Sequence, residues 1–454
     1  MRSYGMNNLN ILHYTFGLPP KATGGLPLYV KDLSESQKKA GHIVNILLPK
    51  QRIIGKDKIY KKNGIYYINN SLPVSSVFGM KNPNDYMRSY SKDAIYSFLT
   101  SVHPDIIHIH TLMGLPKEFL EIAKDKNIKI IYTTHDFYGL CLKCNFIDAN
   151  GRVCENHDCV KCTKCNMING LDNKIPYLIA TNFYRRFKKN KLINFLKVKY
   201  RNRNIEYGHR KTVDKHKVTS FEVSKFEELL SYYRTMFSMI DKFHFNSSLT
   251  KQVFESYLSN ITGKVISITL EHIKDCRNLK NKKIGDKIIF GYIGRTEPYK
   301  GLDMLMNALK KIDDKGYDFE CLLYGDDFTL YDNLLNGKIK NMGIYKNNEL
   351  LKVFNSFDVL IVPSICKETF GFIVLEALSY GTPVVVSENT GSKDLIKHDF
   401  EKYITTNDSI IEIILEIINN STIIIKYSNM IKNIDIDFDI HEHEKKLTEL
   451  YLNL

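Results

Sequence analysis

The feature that most constrains this chain is the run Pro363-Ser-Ile-Cys-Lys-Glu-Thr-Phe-Gly-Phe-Ile-Val-Leu-Glu-Ala-Leu-Ser-Tyr-Gly-Thr-Pro-Val-Val-Val-Ser387. It reads as a loop, a short apolar helix opened at Gly371, a turn at Gly381-Thr-Pro383, and a strand apolar on both faces. Strands of that kind belong in parallel sheets covered by helices on each side. Glu368 stands before the helix and Glu376 about a turn and a half inside it, so two carboxylates flank a helix start. Phe372, Ile373 and Val374 would begin that helix with unpaired backbone N–H groups, which suits a diphosphate.

The same alternation runs through the rest of the chain. Strand 9–14, a glycine turn at Gly24-Gly25, an amphipathic helix carrying Leu26, Val30, Leu33, Gln37 and Ala40, and strand 43–48 form a first βαβ unit. Strand 105–110, helix 117–126 and strand 128–134 repeat it, which favours a parallel sheet. His135-Asp136 then falls at the C-terminal end of a strand, the edge where open α/β sheets bind ligands. Alternation breaks over a cysteine cluster and a basic, aromatic stretch from about 177 to 233, and resumes with strand 242–246. After a polar, linker-like 271–287, a second α/β unit reads as strand 288–293, helix 301–312, strand 319–324, strand 359–362, the helix after Gly371 and strand 384–387. The chain of 454 residues therefore divides into 1–270, carrying an insertion at 141–240, then 271–436, then a terminal helix at 437–454.

No uncharged apolar stretch of about 18 residues occurs, so no spanning helix is expected. The N-terminus lacks the apolar region of a leader, so residence in the cytosol is expected. The charge is uneven. Between Arg185 and Lys217 thirteen Lys and Arg face only Glu206 and Asp214, a local net of +11 within a total of +14.

The 363–387 run resembles the E-x7-E signature of the family-four retaining glycosyltransferases, embedded here in P-S-x-x-x-E-T-F-G-x-x-x-L-E-A-L-x-x-G-T-P-V-V. The resemblance implies the GT-B fold, two Rossmann-like domains facing across a cleft, with a terminal helix returning to the first. Gly294-Arg-Thr-Glu-Pro-Tyr-Lys-Gly301 resembles the family's G-R-x-x-x-x-K-G, which implies that Arg295 and Lys300 contact the donor phosphates. By the same resemblance Glu376 binds the ribose hydroxyls, Glu368 serves the donor-sugar side, and Gly24-Gly25 lets backbone approach donor and acceptor. Thr133-Thr-His-Asp136 resembles T-x-H-D, which implies that His135 reaches the transferred sugar, and His110 is a second candidate at that edge. The implied donor is a UDP- or GDP-sugar. No catalytic metal is implied, and Asp326-Asp327 reads as a helix cap or rim loop.

Six of the nine cysteines lie between Cys141 and Cys165. In a cytosolic chain such a cluster suggests metal rather than disulfides. The spacing Cys141-x12-Cys154, then Cys159-x2-Cys162-x2-Cys165, directly after His135-Asp136-Phe137, resembles a branch of the same family with clustered cysteines. A closed tetrahedral zinc site of Cys141, Cys154, Cys162 and Cys165 is expected, with Cys159 or Cys144 as substitutes. Free thiols and an iron–sulfur cluster are the alternatives. The basic stretch, with Ile179, Phe183, Phe187, Leu192, Phe195 and Leu196 among its cations, suits an anionic membrane surface. It could also serve nucleic acid, or pack as a solvated helical pair.

The expected function is transfer of a sugar from a nucleotide diphosphate to a glycan or polyprenyl-linked acceptor, in bacterial surface-polysaccharide synthesis at the inner face of the cytoplasmic membrane. Alternatives are a nucleic-acid-binding protein or another GT-B enzyme such as a nucleotide-sugar epimerase.

Overall fold

The computed structural model describes residues 8–51, 55–74, 79–169, 217–279, 285, 287–406 and 408–454. The chain forms two compact units. The first comprises residues up to Asn246, Lys251–Ile266 and Glu444–Leu454, and the second comprises Ser247–Thr250 and Ser267–His443.

The first unit is built on eight strands: β1 Asn10–Tyr14, β2 Ile43–Lys50, β3 Lys58–Lys62, β4 Ile65–Asn69, β5 Ile106–Ile109, β6 Lys129–Thr133, β7 Lys242–Phe245 and β8 Gly263–Val265. Their order is β3-β4-β2-β1-β5-β6-β7-β8, and every pair is parallel except β3 with β4. Strand order therefore reverses between β1 and β5, and the loops after them share one edge. The helices α1 Gly25–Lys39, α2 Lys92–Val102 and α3 Lys117–Asp125 cross the sheet. The β3–β4 hairpin and α2 are absent from the expected pattern. Asn63 and Gly64, both at positive φ, form its two-residue turn, and that Asn-Gly pair was the available signal. Only Gly24 turns the chain before α1. Its φ of 123° and ψ of 175° suit glycine alone, whereas Gly25 already belongs to the helix.

The C-terminal segment of the helix Ile440–Leu452 closes the first unit. Leu447, Leu450 and Tyr451 are buried, and the buried Thr448 hydroxyl donates to Glu444 Oε1 at 2.7 Å. Glu444 in turn lies 3.4 Å from His42 Nε2 at the start of β2.

The second unit holds β9 Ile288–Ile293, β10 Phe319–Tyr324, β11 Ile339–Gly343, β12 Val359–Val362, β13 Val384–Ser387 and β14 Ile404–Thr405. All are parallel in the order β11-β10-β9-β12-β13-β14. Here the reversal falls between β9 and β12. All residues of β12 and β13 are buried, which accounts for their uninterrupted apolar sequences.

Candidate functional site

The loops after β9 and β12 bring the second unit's candidates together. Gly301 ends the β9 loop at φ 79°, against the carbonyl oxygen of Pro363 at the end of β12, and any Cβ there would overlap that oxygen. This backbone contact carries Lys300 to Glu368. Lys300 Nζ donates to Glu368 Oε1 at 2.8 Å, and the Ser364 hydroxyl donates to the same oxygen. Both charged side chains are half-buried, with 30% and 15% of their surface exposed. Burial opposes the charge on each, yet the attraction prevails: Glu368 is held below the usual carboxylate range by Lys300 and Ser364, and Lys300 is held above the usual lysine range by Glu368.

The loop 388–393 braces Glu368 from the other side. Glu368 N–H donates to Asn389 O at 2.8 Å, and Gly391 N–H donates to Glu368 O at 3.0 Å. Arg295 is not part of this cluster. Its side chain is 67% exposed, and its recorded ion pair is with Glu297 at 3.9 Å. Asp326 supports the β9 loop by accepting from both Thr296 N–H and the Thr296 hydroxyl at 3.0 Å, and Asp327 accepts from Thr329 N–H at 3.1 Å, so these aspartates act as loop braces.

The helix Phe372–Ser379 starts at Gly371, whose φ is 92°. The expectation of three free N–H groups needs correction. Val374 N–H donates to Gly371 O at 3.1 Å, because the first turn closes with an i to i−3 bond. Glu376, one turn on, is 14% exposed and accepts from His272 Nε2 at 3.0 Å through Oε1. His272 lies in the segment that reads as a linker, and nothing local in the sequence marks it.

In the first unit, His110 and His135 follow β5 and β6. His108 and His110 are fully buried, whereas His135 and Asp136 are half-buried. Rings of His110 and His135 lie 5.3 Å apart, and Tyr29 of α1 touches His135 at 4.6 Å. Burial, then the nearby His244, keep His135 well below the ordinary histidine range, so it is neutral at pH 7. Burial pushes Asp136 up to about 6 against the Thr111 hydroxyl and the Tyr138 N–H, the latter donating to Asp136 Oδ1 at 2.9 Å.

Cys141, Cys154, Cys162 and Cys165 line one cavity of about 30 Å³ together with His157 and Lys161. Cys144 and Cys159 do not line it. Cys162 is pushed up to about 12 by burial and then by Cys141, Cys154 and Cys165, which places the four sulfurs within electrostatic reach. Burial pushes the Cys141 thiol up, against the backbone N–H groups of Phe146, Lys143 and Asn145. Among the described residues, the one group of three ligand atoms lying within 4.8 Å of one another is instead His13, His108 and His110. The basic segment 177–216 lies outside the described residues. No helix among the described residues is long and apolar enough to cross a membrane.

Two parallel Rossmann-like units, each with candidate side chains at its strand reversal, define the GT-B class of glycosyltransferase folds. The architecture is similar to that of Anabaena Alr3699/HepE in complex with UDP, at a TM-score of 0.54 and 13% identity over 98% of this chain and all of that one. Residues 277–435 match the family model of the group 1 glycosyl transferases, and residues 23–151 match that of Glycosyltransferase Family 4. The chain belongs to the family-four glycosyltransferases. It is 31% identical over 121 residues to the uncharacterized glycosyltransferase MJ1607 of Methanocaldococcus jannaschii, covering 25% of this chain and 30% of that protein. Over 191 residues it is 25% identical to the UDP-Gal:alpha-D-GlcNAc-diphosphoundecaprenol alpha-1,3-galactosyltransferase of Escherichia coli, covering 39% and 49%. The matched stretches thus span about a third to a half of these curated relatives.

Proposed function

We propose that the chain transfers a sugar from a UDP- or GDP-sugar to a glycan or polyprenyl-linked acceptor, with retention, in bacterial surface-polysaccharide synthesis. The observation that carries this reading is the Lys300–Glu368–Ser364 cluster at the β9/β12 reversal, beside the helix that bears Glu376. Lys300, with the exposed Arg295, neutralises the departing diphosphate. The N-terminus of the helix, through Phe372 and Ile373, adds backbone donors. Glu376 accepts from ribose hydroxyls, and Glu368 aligns the donor sugar. His135, against Tyr29 of α1, reaches the transferred sugar as a neutral imidazole, with the turn at Gly24 letting backbone approach donor and acceptor.

In the same-face route, the acceptor oxygen bonds to the anomeric carbon as the bond from that carbon to the diphosphate oxygen breaks, and the acceptor proton passes to that departing oxygen. No metal is needed for this transfer. The UDP held by Anabaena HepE and the undecaprenol-linked acceptor of the Escherichia coli relative support the ligand classes. Zinc on Cys141, Cys154, Cys162 and Cys165 would be a closed structural clamp. The basic stretch, at a net +11 between Arg185 and Lys217, would hold the enzyme on anionic lipid.

A thermal-shift screen of the full chain against UDP, GDP, UDP-glucose and GDP-mannose tests the donor assignment, since a ligand that binds the folded state raises its melting temperature. Stabilisation by a nucleotide that is lost in Lys300→Ala supports it, and indifference to all four refutes it. Flotation with anionic vesicles tests the membrane assignment, which tight nucleic-acid binding without vesicle association would refute.

A further inference from the structure

Lys143 is buried where its charge has no evident answer. Only 7% of its surface is exposed, and it lines the same cavity as Cys141, Cys154, Cys162 and Cys165. Its ammonium donates to the Ile147 carbonyl at 3.4 Å, and among the described residues no carboxylate pairs with it. A buried ammonium resting on one long bond is unfavourable unless an anion stands close. Neutral thiols do not supply one, because a thiol is a weak acceptor and carries no charge.

The sulfurs are placed to become that anion. Cys165 Sγ–H donates to the same Ile147 carbonyl at 3.9 Å, so ammonium and thiol share one acceptor. The Lys143 charge also opposes the rise that burial imposes on Cys165 and on Cys141. A divalent ion on the four sulfurs would displace four protons to solvent and leave a net charge of two negatives, since four thiolates outweigh one dication. Cys165 would then have no proton to donate, and its sulfur would accept from the ammonium beside it. The cavity of about 30 Å³ suits one ion rather than an iron–sulfur cube. Lys161, the other cation of the lining, differs on both counts. Its side chain is 42% exposed and lies 3.4 Å from Asp148, so it is screened and already paired.

We propose that Lys143 is the counter-ion of a metal–thiolate centre in this cavity, and that it favours the metal-bound form by neutralising charge on the thiolates. The inference rests on the zinc-clamp reading. Lys143 is a positioning residue, since it acts on the ion only through sulfur. In the metal-stripped chain the same ammonium is an unpaired buried charge, so this lysine couples the local fold to the presence of metal.

The test is competition for zinc between the full chain and a chromophoric chelator, with Lys143→Met and Lys161→Met beside the wild type. Lys143→Met should weaken zinc binding about tenfold to a hundredfold, whereas Lys161→Met should stay within about threefold. Urea titration of chelator-stripped protein should find Lys143→Met at least as stable as the wild type, because an unpaired buried charge has been removed. Lost packing alone would lower that stability instead. Unchanged zinc affinity in Lys143→Met, an equal loss in Lys161→Met, or a stripped Lys143→Met less stable than the wild type would overturn the proposal. A chain that binds no zinc would end the clamp reading and this inference together, whereas zinc held equally well by Lys143→Met would end this inference alone.

Discussion

Lys300 Nζ sits 2.8 Å from Glu368 Oε1 across 68 positions of sequence, where the loops after β9 and β12 touch backbone to backbone, Gly301 against Pro363 and Tyr299 O accepting from Ile365 N–H at 2.9 Å. An ion pair of this kind is a poised device. In the proposed donor site it would hold the lysine extended before a phosphate arrives, and a diphosphate would compete with Glu368 for the same charge.

Lys300→Ala is expected to weaken nucleotide binding and leave Glu368 half-buried without its cation, at a stability cost of about 1–3 kcal/mol. Glu368→Gln should keep the fold and the Ser364 contact while lowering kcat more than donor affinity. Steady-state kinetics and denaturant titration of both variants check this, and unchanged turnover in both would remove the pair from the site.

Glu376→Gln should raise the donor KM, because an amide cannot accept from two vicinal hydroxyls through both of its atoms. His272→Ala releases Glu376 Oε1 and should raise the same KM by less. Donors lacking the ribose 2′- or 3′-hydroxyl should lose their disadvantage in Glu376→Gln, and their persistence as poor donors would argue against a ribose contact.

His135→Ala should cut turnover while leaving UDP or GDP affinity in place, since its assigned partner is the transferred sugar rather than the nucleotide. Calorimetric titration with the nucleotide alone separates the two. Equal loss of nucleotide binding would contradict the placement.

Acid should destabilise the first unit early. His13 and His244 are pulled down to about 4 by burial, which outweighs the hydrogen bonds to Gln37 and the Ile266 carbonyl, so the unfolded chain takes up protons below about pH 6.5 that the folded chain refuses. Their stabilising contribution is complete above that pH and declines as pH falls toward 4, by about 2 kcal/mol for each histidine at pH 5. Asp136 works in the opposite sense between its ordinary value and about 6, so Asp136→Asn should steepen the acid loss. Urea titrations at several pH values measure both slopes, and a flat profile from pH 7 to 5 would exclude neutral buried histidines.

Protein purified without chelator should carry about one zinc per chain, with tetrahedral thiolate distances of about 2.3 Å. Cys162→Ser should lose the metal and lower activity by loosening the segment that continues from His135. Cys144→Ser should keep the metal, as Cys144 stands outside the cavity. A metal-free, fully folded chain would end the idea.

Much of the architecture is local in origin. Strands such as Val359–Val362 and Val384–Ser387 announce themselves because burial on both faces demands continuous apolar sequence, and the glycines near Lys300 and Glu368 mark places where backbone must turn or touch. The run around Glu368 and Glu376 therefore pointed to the glycosyltransferase family before any coordinates. Tertiary structure alone decided which charges meet: Lys300 with Glu368 but Arg295 with Glu297, and His272 with Glu376 across 104 positions. It also decided that Tyr451 of the C-terminal helix bonds both His108 and Gln37. Such pairings have no local signal, because a hydrogen bond between distant residues depends on where sheet order and loop contact bring them, and the periodicity of the chain carries no record of either.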